Sequence, residues 1–499
     1  MALMGLDVGT TGSKCTILDY NGNVLSYAYK EYPVESPEPG FYELNPVAVW
    51  NSVREIIYMA VRGLKDEKIE ALSVSSIGEA VVPVDDKGKV LWNSILFSDS
   101  RGFEQAIELS RTLGHEKIMD ITGLPVNSMY SLNKIMWLKD NRPDIFGRTR
   151  KFLLFEDFII YMLTGVMAVD YSLASRTMAF DVVKKEWSGE ILQAAGIDSG
   201  YFSEATGSGT IVGIVKSEIS EELGLPRDTL VATGGHDQAC AALGAGVIHE
   251  KMAVDGMGTA ECITAAFSKP ALNSGMIKNN YNCEPHVIDG MYLSLSFTSS
   301  GGGLLKWYRD NFASREALEA EKQGIGIYRF LDEKAYGEPT SLLVLPHFSG
   351  SGTPYMDPYS KGVIVGLTMD TNSSHIYRAL MEGISFEMRY NLECLRDSGI
   401  EVEKLRAVGG GAKSDLWLQI KADIMDIEIE TLHISEAGTL GTVILAGVAS
   451  GAYASHAEAV GKLVRPGKVF TPNETNKKKY DESYQCYKKI YDSTRKIYA

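Results

Sequence analysis

The sequence predicts two α/β domains that face each other across a central cleft. Three observations support this prediction: the length of 499 residues, an alternation of strand and helix patterns, and the return of the opening pattern near residue 252. A chain of this length exceeds the size at which a single hydrophobic core stops growing, so two large domains are expected. We place them at residues 1–245 and 246–499.

The first thirty residues indicate strands joined by tight turns. Residues 3–7 form an apolar strand that ends in the Gly-Thr-Thr-Gly turn of residues 9–12, and residues 14–19 return as a second strand. Asn-Gly at residues 21–22 is a strong hairpin signal before a third strand at residues 24–29.

Helical periodicity then alternates with strands up to about residue 245. In residues 46–61, Val49, Val53 and Ile56 share one helical face. Residues 71–75 form a predicted strand and residues 132–139 a predicted helix. This alternation is typical of the α/β class.

The opening pattern returns at residue 252. A strand at residues 252–255 is followed by a turn containing Gly258 and Thr259 and by a strand at residues 262–266. Asp7 and Asp255 each stand just before such a turn. We interpret this as an internal duplication, the alternative being a coincidence between two hairpins.

The C-terminal residues predict an amphipathic helix. Tyr480, Tyr484, Tyr487 and Tyr491 recur at helical intervals within residues 477–499. We expect this helix to pack on the second domain.

Composition excludes several classes of protein. The formal net charge is −15 and no block of Lys or Arg occurs, so nucleic acid and anionic lipid are not expected partners. No apolar run approaches the roughly 20 residues that cross a bilayer, and the N-terminus has no signal-peptide pattern. Six scattered cysteines without a C-x-x-C pair are interpreted as buried apolar residues, which favours the cytoplasm.

The first turn has the chemistry of a phosphate site. Glycines allow close approach of the backbone, and successive N–H groups with the hydroxyls of Thr10, Thr11 and Ser13, beside Lys14, can surround phosphate oxygens. Asp7 can hold Mg²⁺ through water. The P-loop spacing G-x-x-x-x-G-K-[ST] is absent, and an ordinary Gly-rich hairpin is the alternative.

Two further turns extend this pattern. Gly258 and Thr259 offer a second phosphate-binding turn. Gly410 and Gly411 end a strand before a helix at residues 414–425, where a planar base or ribose can lie flat on the backbone.

In this order the motifs resemble the FGGY carbohydrate kinases, which belong to the actin-like ATPase superfamily. Residues 346–366 and 409–423 are the most specific matches. The remaining matches are residues 7–14, 75–84, 97–101, 123–125, 134–137, 234–238, 258–259, 300–303, 382–384 and 436–441. The resemblance implies two ribonuclease-H-like domains around a cleft, with ATP and Mg²⁺ bound between them.

The resemblance also implies that Asp237 is the catalytic base. Phosphoryl transfer needs positioning, charge neutralisation and a carboxylate that accepts the proton of the acceptor hydroxyl. Asp237 is expected in a Gly-rich loop just after the strand of residues 230–233, the alternative being an Asx turn. We interpret His236 as a packing or loop-orienting residue.

For the sugar, the family pattern points to the first domain. Glu79 stands where these kinases carry a Glu or His that contacts substrate hydroxyls, unless it is a surface residue at a strand end. Gln238 resembles the residue after the base that touches the sugar. Phe97 replaces a usual Trp, and Asp99 remains in the motif, although Asp99 with Arg101 could be a structural ion pair.

The implied nucleotide set is drawn from both halves of the chain, with Asp7 as the metal residue. Its members are Thr10, Thr11, Ser13, Lys14, Gly258, Thr259, Gly302, Gly303, Gly410, Gly411, Ser414 and Asp415.

The expected activity is transfer of the γ-phosphoryl group of MgATP to a hydroxyl of a small neutral sugar, a ketose or alditol. Residues 77–80 depart from the family's glycerol- and xylulose-type motifs, so the named acceptor stays open. Two alternatives remain, an actin-like ATPase and a non-catalytic sugar-binding paralogue, and intact Asp7 and Asp237 argue against the second. The oligomeric state is also open, with a homodimer as the assembly considered.

Overall fold

The computed structural model describes residues 1–65, 67–433 and 436–498, and it consists of two large sheets flanked by helices. The strands of the first half are β1 (Ala2–Val8), β2 (Gly12–Asp19), β3 (Val24–Glu31), β4 (Glu43–Leu44), β5 (Ile69–Ser76), β6 (Val81–Val84), β7 (Ser94–Ile95), β8 (Lys151–Leu154), β9 (Ala168–Asp170), β10 (Phe180–Asp181), β11 (Glu186–Trp187), β12 (Glu204–Thr206), β13 (Ile211–Ile214) and β14 (Leu230–His236). Its helices are α1 (Pro46–Arg62), α2 (Phe103–Leu113), α3 (His115–Thr122), α4 (Ser131–Asn141), α5 (Pro143–Phe146), α6 (Phe155–Thr164), α7 (Tyr171–Ser175), α8 (Gly189–Ala195), α9 (Ser217–Leu223) and α10 (Asp237–Gly244), with a 3-10 turn at Ser199–Tyr201.

The second half repeats this composition. Its strands are β15 (Met252–Met257), β16 (Glu261–Phe267), β17 (Glu284–Pro285), β18 (Tyr292–Thr298), β19 (Leu343–Leu345), β20 (Val363–Val365), β21 (Lys404–Val408), β22 (Glu428–Leu432) and β23 (Pro466–Phe470). Its helices are α11 (Ser274–Lys278), α12 (Gly302–Phe312), α13 (Ser314–Gln323), α14 (Ile327–Ala335), α15 (Ser373–Asp397), α16 (Asp415–Met425), α17 (Ala437–Ala449), α18 (His456–Leu463), α19 (Glu474–Tyr487) and α20 (Ile490–Tyr498), with a 3-10 turn at Gly411–Lys413.

The two large sheets share one arrangement of six strands, and the second sheet has β17 as an additional edge strand. The first has the order β13-β14-β5-β1-β2-β3, and the second has the order β17-β18-β16-β15-β21-β22-β23. In each sheet the strand that carries the repeated Asp, β1 or β15, pairs antiparallel with the next strand and parallel with a strand reached by a crossover. The predicted duplication and the predicted α/β class are confirmed.

Local sequence explains how α1 begins and which face it buries. The side chain of Asn45 accepts hydrogen bonds from the backbone N–H groups of Val47 and Ala48, and Pro46 stands at the first helical position. Val49, Val53 and Ile56 are buried, as their spacing predicts. The helix ends one residue beyond the predicted range.

Helix α17 from the second half packs on the first sheet. A Cβ at Gly5 of β1 would lie 2.2 Å from the carbonyl oxygen of Thr439, and a Cβ at Gly441 would lie 1.9 Å from that of Cys240 in α10. Only glycine permits backbones to approach this closely. Core residues from both halves therefore join in one cluster, which includes Leu3, Leu243, Val254 and Val443. The predicted limit near residue 245 falls between α10 and β15, and the domain limits stay a prediction.

The C-terminal prediction needs a small correction. Two helices, α19 and α20, replace the single predicted one, because the chain bends between Tyr487 and Ile490. Tyr480, Tyr484 and Tyr487 are buried in the core of the second half, as predicted. Ala499, within the predicted range, lies outside the described residues.

Two expectations from composition can also be compared with the structure. Four cysteines are buried, whereas Cys262 is partly exposed and Cys486 is exposed on α19, so the interpretation of all six as buried is wrong. Throughout the described ranges, no helix is both long and apolar enough to cross a membrane.

Candidate active site

The hydroxyl of Tyr32 binds both sides of the first phosphate turn, residues 9–12. Tyr32 Oη donates to the carbonyl oxygen of Gly9 (2.5 Å) and accepts from Ser13 Oγ (3.2 Å). The hydroxyl of Ser13 is buried in this contact, so it does not face open space as the phosphate prediction required. Thr10 and Thr11 form the tip, and within the described residues their N–H groups donate to no other group. These two amides are therefore available to a phosphate.

Asp7 is the second-last residue of β1, the strand that leads into this turn. Ser75 Oγ donates to Asp7 Oδ1 (2.7 Å), and a Cβ at Gly438 of α17 would lie 3.2 Å from Asp7 Oδ2. Burial and the nearby charge of Asp237 raise the pKa of Asp7 to about 6. Two carboxylates that repel each other in one cleft favour a cation between or beside them.

Asp7 and the adjoining turn suit Mg²⁺ better than a metal ion that is bound entirely by protein side chains. Within residues 1–65, 67–433 and 436–498, no group of three or more His, Cys, Asp or Glu side chains could hold a metal ion. Mg²⁺ usually keeps several waters and binds through one or two carboxylates plus substrate phosphates. Asp7, with a phosphate on the adjoining turn, meets that requirement.

Lys14 is paired across the two halves of the chain. Its Nζ lies 2.6 Å from Glu436 Oε2 at the start of α17. Burial alone would lower the pKa of Lys14, but the hydrogen bond and charge of Glu436 raise it above its ordinary value. Lys14 is a cation beside the turn, and a phosphate would have to share it with Glu436.

Asp237 stands where a strand becomes a helix. Strand β14 continues through His236 and α10 begins at Asp237, so the predicted Gly-rich loop after residue 233 is wrong. The backbone N–H of Gly234 donates to Glu156 Oε1 (2.6 Å), and that of His236 donates to Ser172 Oγ (2.8 Å). The side chain of Asp237 is 29% exposed, which leaves its carboxylate accessible.

A buried chain of alternating charges leads from Asp237 to Glu79. His236 Nε2 lies 3.2 Å from Asp237 Oδ1, and His236 Nδ1 lies 3.1 Å from Glu284 Oε1. The other oxygen of Glu284 accepts from Arg176 (2.9 Å), whose Nε donates to Glu79 Oε1 (2.7 Å). The side chain of Glu79 is 5% exposed, so it is not a surface residue.

Sequence reasoning missed most of this chain. Arg176 and Glu284 lie in no Gly-rich motif, and they are 108 positions apart. The one available signal was the position of His236 directly before the predicted base. Gln238, directly after Asp237, is half-buried at the same junction.

Asp99 and Phe97 differ in their access to solvent. Arg101 donates to both oxygens of Asp99 (2.9 and 2.6 Å) and also binds Glu43 (2.7 Å). The side chain of Asp99 is 0% exposed, so the structure contradicts its predicted contact with the sugar and supports the structural ion pair. Phe97 is 41% exposed and can meet a ligand.

The second half contains a cavity of about 1660 Å³. Several aromatic and apolar side chains form part of its wall, which suits the flat faces of a base. The predicted nucleotide residues that line it are Gly258, Thr259, Gly302, Gly303, Gly410, Gly411, Ser414 and Asp415. Other lining residues, which sequence reasoning missed, include Met257, Tyr328, Asp332, Tyr377, Trp417 and Phe470.

The glycines of this cavity have different tasks. The N–H groups of Gly302 and Gly303 donate to the carbonyls of Gly258 (2.8 Å) and Thr259 (3.0 Å), so they fasten α12 to the β15–β16 turn. A Cβ at Gly410 would meet no atom within 4 Å, and this backbone therefore borders open space. Both findings are compatible with a bound nucleoside, and Gly410 offers it a free surface.

The N-terminus of α16, the helix that follows Gly410 and Gly411, is capped by the side chain of Ser414. Ser414 Oγ accepts from the N–H of Trp417 (3.1 Å) at the start of α16. Asp415 follows as the first helical residue and pairs with Lys468 (2.5 Å). The Ser414 hydroxyl thus has a structural bond as well as a place in the cavity wall.

Asp255, the duplicate of Asp7, has a different environment. It is fully buried and pairs with Lys421 (2.5 Å), which also binds the buried Glu261. Asp7 is partly exposed and, among the described residues, has no lysine bound to it, so the duplication preserves the turn but gives the two aspartates different surroundings.

Comparisons with known proteins agree along the whole chain. The sequence model of the N-terminal domain of the FGGY family of carbohydrate kinases matches residues 2–244, and that of the C-terminal domain matches residues 256–450. The xylulose kinase of Bacillus subtilis (strain 168) is 29% identical over 497 residues, with 99% of this chain and 97% of the relative covered.

Solved structures show the same architecture. The ligand-bound xylulose kinase from Lactobacillus acidophilus aligns with a TM-score of 0.91 at 26% identity, covering 100% of this chain and 99% of the other. The gluconate kinase from Lactobacillus acidophilus aligns with a TM-score of 0.91 at 25% identity and the same coverage. The predicted fold, two ribonuclease-H-like domains around a cleft, is confirmed by these matches.

Proposed function

The chain belongs to the FGGY family of carbohydrate kinases, and from this we propose that it transfers the γ-phosphoryl group of MgATP to a hydroxyl of a small neutral sugar, a ketose or an alditol. The supporting observation is the placement of Asp237. It is an accessible carboxylate at the N-terminus of α10, within electrostatic reach of Asp7 beside the phosphate turn.

Asp237 is the proposed general base. An ionised carboxylate only accepts hydrogen bonds, so it can orient the acceptor hydroxyl and take its proton as the new bond to phosphorus forms. Its backbone is fixed on one side by β14 and on the other by α10. A fixed base contributes orientation as well as basicity.

The nucleotide is proposed to bind mainly to the second half. Gly410 offers open backbone to the nucleoside, and the amides of Thr10 and Thr11 offer donors to the phosphates. Asp7 would hold the Mg²⁺ of MgATP, which neutralises charge that develops on the β- and γ-phosphates. Lys14 adds a further positive charge at the turn, and a bound phosphate would share this cation with Glu436.

A neutral acceptor fits the charges around the base. Glu79 is a carboxylate, and Arg176, the cation beside it, is already bound by Glu79 and Glu284. Bringing an acidic sugar next to these carboxylates leaves a desolvated charge unpaired, which costs several kcal/mol. The name of the Bacillus subtilis relative favours a ketose, whereas the neighbouring gluconate kinase structure makes an aldonate the rival acceptor.

An acceptor screen tests this proposal. ADP release is measured with pentuloses, hexuloses, tetruloses, alditols and aldonates, each with MgATP. We expect the highest kcat/KM with a neutral ketose or alditol. An aldonate as the best acceptor would overturn the neutral-sugar proposal, and ADP release independent of any acceptor would favour the ATPase alternative.

A further inference from the structure

The imidazole of His236 is held between two carboxylates. Nδ1 lies 3.1 Å from Glu284 Oε1, and Nε2 lies 3.2 Å from Asp237 Oδ1. The contact of Nδ1 with Glu284 is a hydrogen bond, and the contact of Nε2 with Asp237 is an ion pair. The imidazolium, with a proton on each ring nitrogen, suits both contacts, because it can donate to Glu284 and carries a positive charge next to Asp237.

The surrounding charges stabilise this form of the ring. Burial alone would lower the pKa of His236, but the charges of Glu284 and Asp237 raise it above the ordinary value, against a smaller opposing effect of Arg176. For Glu284, burial acts to raise the pKa, and His236 and Arg176 outweigh it and keep the carboxyl ionised. Asn282 adds a hydrogen bond to Glu284 (2.9 Å).

We propose that His236 is a positioning residue for the base: held as a cation by Glu284, it binds one oxygen of Asp237 and leaves the other free for the acceptor hydroxyl. This inference rests on the proposed kinase function. The contact restricts rotation of the Asp237 side chain, which the helix alone does not do. It also places a positive charge beside the carboxylate that is proposed to take the proton.

Glu284 extends this role to the acceptor. Its second oxygen binds Arg176, and Arg176 binds Glu79, the residue expected to orient the sugar. One carboxylate therefore fixes both the base and the acceptor-binding side chain. Glu284 comes from β17 in the second half, whereas its charged partners belong to the first half. The geometry of the base consequently depends on how the two halves fit together.

Two amide substitutions at His236 separate the two contacts of the ring. The amide nitrogen of Asn is two bonds from Cβ, as Nδ1 is, whereas that of Gln is three bonds from Cβ, as Nε2 is. His236→Asn can keep the contact with Glu284 and loses the one with Asp237, and His236→Gln does the reverse. The exposed His249 provides a matched control, His249→Asn.

With the best acceptor of the wild type, we expect His236→Asn to lower kcat about 10²-fold, as misplacement of a reacting group can. His236→Gln should lose less than about tenfold. The KM for ATP and the melting temperature should be similar in the two variants, and His249→Asn should match the wild type. Equal losses of kcat, or a larger loss in His236→Gln, would overturn the proposal.

A second measurement observes the wild type and does not depend on activity. The imidazole nitrogens of the wild type are observed by NMR after ¹⁵N labelling of its 8 histidines, and the His236 signal is assigned by its absence in His236→Gln. Because Glu284 and Asp237 raise the pKa of His236 above the ordinary histidine value, we expect the ring to be mostly protonated on both nitrogens at about pH 6.5. A neutral ring at that pH would contradict the inference, whereas a wild type inactive with all acceptors would contradict only the kinase proposal.

Discussion

The carboxylate of Asp237 is accessible on one side and bound by His236 on the other. Asp237→Asn preserves shape and removes the proton acceptor. We expect kcat to fall about 10²-fold or more, since general-base catalysis typically contributes that much. ATP binding, measured by calorimetry without sugar, should change little. If the variant kept most of its kcat with the best acceptor, Asp237 would not be the base.

Asp7 allows a prediction in which activity and stability change in opposite directions. Asp7→Asn should lose nearly all kinase activity, because the amide is a poor ligand for Mg²⁺. In the folded chain, burial raises the pKa of Asp7 from 3.8 to about 6. The folded state therefore binds this proton more tightly than the unfolded chain does. The resulting stabilisation is fully present below pH 3.8 and is lost as the pH rises through about 6.

Asn does not titrate, so the free energy of unfolding of Asp7→Asn relative to the wild type should rise between about pH 4 and pH 6 and stay constant above. Urea unfolding in the presence of EDTA, over a series of pH values, measures this difference. A difference independent of pH would show that the carboxyl of Asp7 has an ordinary pKa in the folded protein.

At the residue scale, the sequence correctly predicts which residues lie close together when they belong to one short motif. Asp7 with Thr10 and Thr11 forms one such motif, and the structure brings them together at one turn. Sequence reasoning failed where the role of a side chain depends on a partner that is distant in the chain. Arg176 is the clearest example, because Glu284, a carboxylate that it binds, lies 108 positions further along the chain.

At the scale of elements, strand and helix periodicity located most of the segments but not their ends. Residues 230–233 were predicted as a strand from their apolar character, and β14 continues three residues further to His236. The polar and glycine residues at its end resemble a loop in the sequence. They continue the strand because Glu156 and Ser172 bind its N–H groups, which local sequence cannot show.

The strand–helix turn before α16 offers a prediction with an internal control. Gly410 has ordinary helical backbone angles (φ −65°, ψ −39°) and space for a Cβ, whereas a Cβ at Gly411 would lie 2.8 Å from the ring of Trp417. Gly410→Ala should leave the melting temperature unchanged and raise the KM for ATP about tenfold, equivalent to ~1.4 kcal/mol. The sugar KM should not change. Gly411→Ala should instead lower the free energy of unfolding by about 1–3 kcal/mol through overpacking. An unchanged KM for ATP in Gly410→Ala would remove this backbone from the nucleotide site.

At the scale of the whole molecule, the duplication could be predicted because each half opens with the same local pattern. The position of α17 could not be predicted in this way. Its sequence reads as an apolar helix of the second half, yet it packs on β1, β5 and β14 of the first sheet. The contacts depend on close backbone approaches at Gly5, Gly244 and Gly441, which connect segments up to about 435 residues apart.

Because α17 completes the packing of the first sheet, the first half should not fold alone. A fragment of residues 1–245 leaves the apolar face formed by Leu3, Ala71 and Leu243 without Leu440 and Val443. We expect the full chain to unfold in one calorimetric transition and the fragment to show none, with binding of a hydrophobic dye instead. The same fragment mixed with a peptide of residues 436–450 serves as the control, since the peptide restores the missing helix. A fragment that unfolded cooperatively near the melting temperature of the full chain would show that each half has a complete core of its own.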